Sequence, residues 1–356
     1  GYVSVISAGE ILVNAEDESD LVDAAGALSV GSTVGAGATV VTLVYNKAVH
    51  AKLDAQYAKA AGAVSVLANS DDDVFLLAVS FGASGTVGVA GNVNVLVFNS
   101  SIEAAVGSVH EAASVTVNAD SRANLYNIAA SGSVSGTVSV TAVAVVTYFE
   151  NETLAYVIGG SEDAHTVIGS ENKKISGAVT IEATSTEMVT ADAAGISGSG
   201  TVGVNGAFDV IVTQFTTKAF TGNYVDIYAS GDLTVQADDS FDVYAVVAGI
   251  AIGGAGAGIG AITLVDVSYS TVEASIGANN TVEAANVIIE AMNDRNVLGV
   301  TANVAGAAAG IAVTVTVVLV GNKMTQDAHD GIYGEVSTDP EKQDEGGINP
   351  EKQVQG

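Results

Sequence analysis

The chain has 356 residues, 48% of them hydrophobic, and a formal net charge of −29. A chain this acidic repels phosphate backbones, which excludes nucleic acid as a partner. Cysteine does not occur, so disulfides, thiolate metal sites and cysteine nucleophiles are excluded, while the cellular compartment stays undetermined.

The first recurring element is a short strand that ends on alanine. A hydrophobic residue, any residue and an alanine occur in this order six times, at Ala15, Ala68, Ala119, Ala183, Ala237 and Ala291. The spacing predicts six repeats of about 54 residues within residues 1–331, and one longer step indicates an insertion near residues 160–176. Acidic and amide residues follow these alanines and predict a polar turn.

The second half of each repeat begins at a glycine-rich turn. This turn contains Thr33, Thr86, Thr137 and Thr201, and it corresponds to Gly256 and Gly310 in the last two copies. An alanine stands 18 residues after each of these positions, at Ala51, Ala104, Ala155, Ala219, Ala274 and Ala328. Between the turn and the alanine, as in residues 87–97, hydrophobic residues alternate with period two. This alternation predicts a long strand with one buried face.

Similar units that cannot bury a face alone are expected to stack on each other. The sequence therefore predicts an all-β fold, a parallel β-solenoid (β-helix), in which a repeat forms either one wide coil or two ordinary coils. The alternative is an antiparallel β-sandwich or barrel built from hairpins, with residues 243–254 and 255–269 as the two arms of one hairpin.

The order of elements within a repeat resembles that of a known group of proteins. In the fifth copy it runs through Val235–Ala237, an Ala/Gly-rich run at 248–260, a Val-rich strand at 262–267 and the sequence Ala-Ser-Ile-Gly at 274–277. This order is similar to the repeats of leukotoxin-type and filamentous-haemagglutinin-like adhesins, very large bacterial surface proteins with β-solenoid stalks. The resemblance covers roughly residues 10–331. It implies a secreted, cell-surface protein with a structural or adhesive role, and it supplies no catalytic residues.

Oxygen ligands recur in the predicted polar turn. The residues concerned are Asp17, Asp20, Asp71, Asp73, Asp239 and Asp242. Carboxylates gathered at one corner of each coil would suit Ca²⁺, whereas aspartate also stabilises turns through local hydrogen bonds. We expect plain turns and keep calcium at these residues as the alternative; no other cofactor is indicated.

Two uncharged runs, residues 243–265 and 297–321, are long enough for a membrane helix. Gly and Ala are frequent in both, and the equivalent stretch of the second repeat contains Asn92 and Asn94. We therefore expect no stable membrane span, although a membrane-inserting hairpin stays open.

Aromatic residues occupy matching positions in the first three repeats, at Tyr45, Phe98 and Phe149. They predict a stacked, half-buried ladder at a strand end; the alternative is an exposed ladder that binds a sugar or a protein.

Residues 332–356 differ from the repeats. They form a polar tail or linker rich in Pro, Glu, Lys and Gln, which contains both prolines of the chain. Contact of this tail with a neighbouring subunit would support lateral or end-to-end assembly.

These features favour a non-enzymatic, extracellular repeat segment of a bacterial surface protein that presents a rigid rod. One alternative is a self-assembling filament or surface-layer subunit. The other is a polysaccharide-active β-helix enzyme, which would need clustered carboxylates; His165 is the one histidine with close acidic neighbours, Glu162 and Asp163. The expected partners are neighbouring repeats or further copies, and host or cell-surface glycans or proteins.

Overall fold

The computed structural model describes the backbone of residues 2–328 and the side chains of residues 2–321. This part of the chain forms 18 β-strands arranged in three parallel six-stranded sheets. The tail predicted at residues 332–356 lies outside the described residues.

One sheet consists of short strands and the other two of long strands. The base sheet contains β1 (Ser4–Ser7), β4 (Tyr57–Ala60), β7 (Val109–Glu111), β10 (Thr166–Ile168), β13 (Val225–Tyr228) and β16 (Thr281–Glu283). The first long sheet contains β2 (Ile11–Gly31), β5 (Val64–Ser84), β8 (Val115–Ser135), β11 (Val179–Ser199), β14 (Leu233–Gly253) and β17 (Val287–Gly306). The second long sheet contains β3 (Val34–Leu53), β6 (Val87–Val106), β9 (Val138–Val157), β12 (Val202–Thr221), β15 (Ala257–Ile276) and β18 (Ala309–Ala328).

Each repeat contributes one strand to each sheet, so one repeat forms one wide coil. Strands neighbour each other in the order of the repeats in all three sheets. The parallel solenoid is therefore confirmed, with one coil per repeat. The long strands have 20 or 21 residues, which corresponds to roughly 66–70 Å at about 3.3 Å per residue.

The hairpin alternative is wrong. The strands β14 and β15 lie in different sheets, and each pairs in parallel with the equivalent strand of the next coil. The glycine-rich segment between them is an arch that carries the chain from one sheet to the other.

The anchor alanines stack in register along the solenoid. In the first long sheet Ala15 pairs with Ala68, and the column continues without a shift to Ala291. In the second long sheet the column runs from Ala51 to Ala274. Its sixth member is Gln326, because Ala328 pairs with Ile276. The alignment of the last repeat was thus wrong by two residues.

The predicted polar turn after the first alanine does not form. Asp20, Asp73 and Asp242 lie in the middle of uninterrupted strands. In coils two to five, neighbouring coils satisfy the backbone hydrogen bonds on both sides, and the polar side chains can point to solvent without a turn. Tertiary pairing therefore overrides the turn preference of the local sequence.

In the second long sheet near the arches, valines of the alternating pattern point outward and polar residues point inward. Hydrophobicity alone would favour the opposite arrangement. In β6 the buried positions include Asn92, Asn94 and Phe98, whereas Val89 and Val93 point outward and are 37% and 39% exposed. Near the arches the solenoid thus has a polar interior and a valine-rich exterior.

The two long sheets approach each other closely at the arches, which we call the tip. A Cβ atom on Gly203 would lie 2.4 Å from the carbonyl oxygen of Ile252, and one on Gly82 would lie 2.1 Å from that of Val89. Both distances are below van der Waals contact. The glycine-rich runs therefore serve close sheet packing.

Away from the tip the sheets diverge around two apolar clusters. The cluster beside the base sheet contains Val66, Val106 and Val109, one from each sheet. The central cluster contains Leu76, Leu96 and the phenylalanines of the aromatic ladder. These two clusters position all the side chains discussed below.

The insertion preserves this plan. Two short loops project on either side of β10, closed by the bridges Ser161–Ala164 and Ser170–Lys173. The strand β10 itself keeps its place in the base sheet between β7 and β13.

Candidate functional site

The outer surface of the long sheets divides into two halves of different chemistry. The half beside the base sheet, called the acidic half, carries Glu16, Glu18, Asp71 and Asp120 on the first long sheet. The half beside the tip carries mainly Val, Ala, Ile, Phe and Gly on both sheets. The two halves are continuous along the solenoid because equivalent residues of successive coils pair in register and are mostly similar in polarity.

The predicted calcium residues do not meet at one corner. Asp20 and Asp73 are neighbours in one outward column, and Asp242 occupies the same column three coils further along. Asp73 accepts a hydrogen bond of 2.7 Å from Asn124. Asp71 lies in the adjacent outward column, where Arg122 contacts it at 3.1 Å.

The other two calcium candidates point inward. Asp17 and Asp239 belong to one inward column, in the first and fifth coils. Within residues 2–328 no group of three His, Asp or Glu side chains is arranged to hold a metal ion. Calcium binding remains a prediction, in which the carboxylates of the outward columns alone would supply the ligands.

A surface depression of about 600 Å³ lies on the acidic half across the first coils. Its walls include Glu16, Glu18 and Asp71, with Arg122 as a cation among them. Burial, followed by the nearby charge of Asp71, raises the pKa of Asp120. This surface repels anions and suits a cationic or neutral polar partner.

The aromatic ladder is internal and longer than predicted. Ring centroids are separated by 5.3 Å for Tyr45–Phe98, 5.1 Å for Phe98–Phe149 and 4.8 Å for Phe149–Phe215. Phe241 continues the ladder at 4.6 Å, and the Arg295 guanidinium lies 5.9 Å from its ring.

The ladder thus links all six coils, although two of its members come from shifted positions. The matching positions of the later repeats hold Thr213 and Ser268, and Phe215 and Phe241 fill the space instead. Because Phe98 and Phe149 are fully buried, the alternative of an exposed binding ladder is wrong.

A belt of buried polar groups separates the two apolar clusters. At its first end Lys47 contacts Asp72 at 2.7 Å and Asp17 at 2.8 Å. The hydrogen bond from Lys47 lowers the pKa of Asp17, while burial raises that of Asp72. Of the two carboxylates Asp72 is the buried one, so desolvation outweighs the attraction of the same ammonium group there.

The middle of the belt is a network around Asn151. Its amide donates to the hydroxyls of Ser121 and Ser185 at 3.0 Å and to the Glu187 carboxyl at 2.6 Å. Burial and the charge of Asp239 raise the pKa of Glu187 well above its ordinary value. A protonated Glu187 is consistent with this site, because a neutral carboxyl costs less to bury.

The far end of the belt holds the carboxylate of Asp239. Burial raises its pKa to about 6, partly offset by hydrogen bonding to Ser270 and by the charge of Arg295. The belt therefore contains acids, among them Asp72, Glu187 and Asp239, that the stacking of the coils buries.

Three carboxylates of the base sheet near the insertion contact basic side chains. His165 lies 3.1 Å from Asp226, and Lys174 contacts Glu283. Glu111 contacts Lys59 at 2.7 Å and Lys173 at 2.5 Å, and the hydrogen bonds from these lysines lower its pKa. The structure places His165 beside Asp226, which the sequence did not indicate, rather than beside a cluster of free carboxylates.

The terminal coils of the described stack expose full-length strand edges. Each of β2, β3, β17 and β18 has a partner on one side only within residues 2–328. Side chains of the terminal coils are correspondingly open to solvent, as in Val318 at 42% and Val320 at 49%. An exposed flat edge of this length is a template for further strands.

No protein-family model, curated protein or solved structure matches this chain. In the described part of the chain, no helix is long and apolar enough to cross a membrane.

Proposed function

We propose that this chain is a rod-forming segment of an extracellular bacterial surface protein, with a structural or adhesive role and no catalytic activity. The observation that carries the proposal is the in-register stack of six wide coils, whose terminal strands have open edges within residues 2–328. At about 4.8 Å per coil, the described stack is about 29 Å long and more than twice as wide. Its parallel edges can continue into further coils without a change of geometry.

Three features support a mechanical role. The coils are joined by full-length ladders of 20 or 21 residue pairs in each long sheet, and by one internal aromatic ladder. Three carboxylates of the base sheet beside the insertion, Glu111, Asp226 and Glu283, contact basic side chains of the insertion. The acidic half would keep the rod soluble and would present a repeated polar surface to a partner.

The experiment is electron microscopy and sedimentation of the purified chain over a wide concentration range. We expect coil-on-coil association at the terminal edges to give filaments about 70 Å wide that lengthen with concentration. A chain that stays a single six-coil particle at all concentrations would contradict the proposal.

A matched pair of variants tests whether the ends make these contacts. Leu21→Lys places a charge on the inward face of the first coil, where another coil would bury it, and it is expected to shorten the filaments strongly. Val22→Lys adds the same charge one residue further on, where the side chain is 77% exposed, and should leave filament length unchanged. Equal filament lengths for both variants would show that the ends are not the contact.

A further inference from the structure

The outward face of the second long sheet near the tip is a continuous apolar surface. We call it the apolar face; it consists of the outward positions of residues 34–44, 87–97, 138–148, 202–212, 257–267 and 309–319. None of these outward positions carries a charged residue, and the polar exceptions are Thr42, Tyr148 and Thr263.

The apolar face is exposed in the isolated chain. Val93, Phe208 and Val315, which lie in one column, are 39%, 46% and 45% exposed. Six outward columns across six coils cover about 36 Å by about 29 Å, or roughly 1,000 Å². A single-chain soluble protein rarely exposes an apolar patch of this size.

From this surface we infer that two copies of the chain pair laterally, apolar face against apolar face. The area argues for a second copy, since roughly 800 Å² per partner is sufficient for a stable protein interface. Two apolar sheets also pack well face to face, at a separation of about 10 Å. This pairing is independent of the coil-on-coil contacts of the rod.

The relief of the face is self-complementary. One column consists of small residues in the first five coils, among them Gly91, Ala142 and Gly206, and ends at Val313 in the sixth; over these five coils it forms a groove along the solenoid axis. The column beside it holds the larger Val89, Val140, Val204 and Ile259. A ridge from one copy can therefore enter the groove of the other, as in dry interfaces between stacked parallel sheets.

A lipid bilayer fits the same face less well. The edges of β3 and β18, which have no partner strand on their outer side within residues 2–328, run along the full breadth of the face, and their backbone groups would meet hydrocarbon. Immediately behind the face lie the buried polar side chains of Asn94 and Asp209. In a pair of copies the open edges stay in water, at the periphery of the interface.

The first experiment measures sedimentation of the Val146→Lys variant against wild type and against a control, Thr216→Lys. Val146 points outward at the centre of the apolar face, and Thr216 points outward from the same sheet beyond it. With the rod ends blocked by Leu21→Lys in every chain, we expect the otherwise unchanged chain and Thr216→Lys to form pairs, and Val146→Lys to weaken pairing at least about 100-fold. Both Lys side chains can stay solvated in the single chain, so melting temperatures should be similar.

The second experiment uses the absence of native cysteine. In Ala144→Cys the thiol lies near the centre of the apolar face, and in Ser101→Cys it lies outside it on the same sheet. A short bismaleimide should join Ala144→Cys chains into covalent dimers and leave Ser101→Cys chains unjoined. Leu21→Lys, which blocks the ends of the rod, should not alter this cross-linking.

Four outcomes would overturn the inference. Unchanged pairing in Val146→Lys would place the contact elsewhere. A Leu21→Lys chain that remains single would exclude pairing. Flotation of single chains with neutral phosphatidylcholine vesicles, abolished by Val146→Lys, would assign the face to membranes. Filaments that form without lateral pairs would refute this inference and leave the rod proposal intact.

Discussion

Asp209 lies in an environment very different from that of a surface carboxylate. It is fully buried on the inward side of β12, and neither oxygen has a well-formed hydrogen bond, although the Val210 amide lies close. Burial, followed by the charges of Asp192 and Asp266, raises its pKa well above the ordinary value. The folded chain therefore holds this proton at pH values where the unfolded chain has already released it.

The sign of the pH dependence follows from this difference. Because unfolding releases a proton from Asp209, the free energy of unfolding falls as the pH rises through the range between its two pKa values. Glu187 and Asp239 contribute in the same direction, whereas Asp17 and Glu111 have lowered pKa values and oppose it. We expect the solenoid to be more stable at mildly acidic pH than at neutral pH.

The variant Asp209→Asn tests the contribution of the single residue. It keeps the shape and removes the charge, so it should raise the free energy of unfolding at pH 7 by roughly 1–3 kcal/mol and reduce the gain on acidification. Chemical denaturation at pH 5 and pH 7.5 measures both effects. The outward-facing control Asp242→Asn should change neither; a loss of stability in Asp209→Asn at neutral pH would contradict the account.

At the scale of the strand, the tip shows why glycine is needed at particular positions. Gly203 and Gly198 lie in neighbouring long strands of the same coil, and the sequence does not distinguish them. A Cβ on Gly203 would lie 2.4 Å from the carbonyl oxygen of Ile252, whereas one on Gly198 would meet nothing within 4 Å. The requirement arises from the approach of the two sheets rather than from local conformation.

Alanine substitution separates the two cases. Gly203→Ala is expected to force the sheets apart and to lower the free energy of unfolding by roughly 1–3 kcal/mol. Gly198→Ala should be neutral or slightly stabilising, since alanine restricts the unfolded chain more than glycine does. Urea unfolding of the two variants gives the comparison, and equal effects would show that the tip is not closely packed.

The sequence was sufficient to predict the long strands and the stacking of the repeats. It was not sufficient to predict which face of each strand points inward. Six matching alanines in one column predicted the register, because identical positions of stacked repeats must coincide. The valines of β6 did not reveal that they face outward, since hydrophobicity alone favours the buried side. The sequence also did not predict that the strand continues through Asp73. The neighbouring coils provide the backbone hydrogen bonds there, so no turn is needed to satisfy them.

The aromatic ladder and the contacts of the insertion were predicted only in part, because they also depend on how neighbouring coils pack. The aromatic ladder was predicted from Tyr45, Phe98 and Phe149, which share one position. Phe215 and Phe241 lie in other columns, and only the packing of the coils brings them into the series. The ion pair of His165 with Asp226 joins residues separated by a whole coil and has no local signal.

Each repeat forms a single coil with uninterrupted long strands. This geometry sets the width of the rod, the division into acidic and apolar halves, and the position of the apolar face. Thr116 and Val134 lie on the outward face of the same strand, β8, near its two ends.

The most direct test is the distance between spin labels on Thr116→Cys and Val134→Cys, measured by double electron–electron resonance in a chain without other cysteines. The 18-residue separation along one extended strand predicts about 60 Å. A distance below about 30 Å would mean that the strand folds back at the acidic residues between them, and it would contradict the single wide coil.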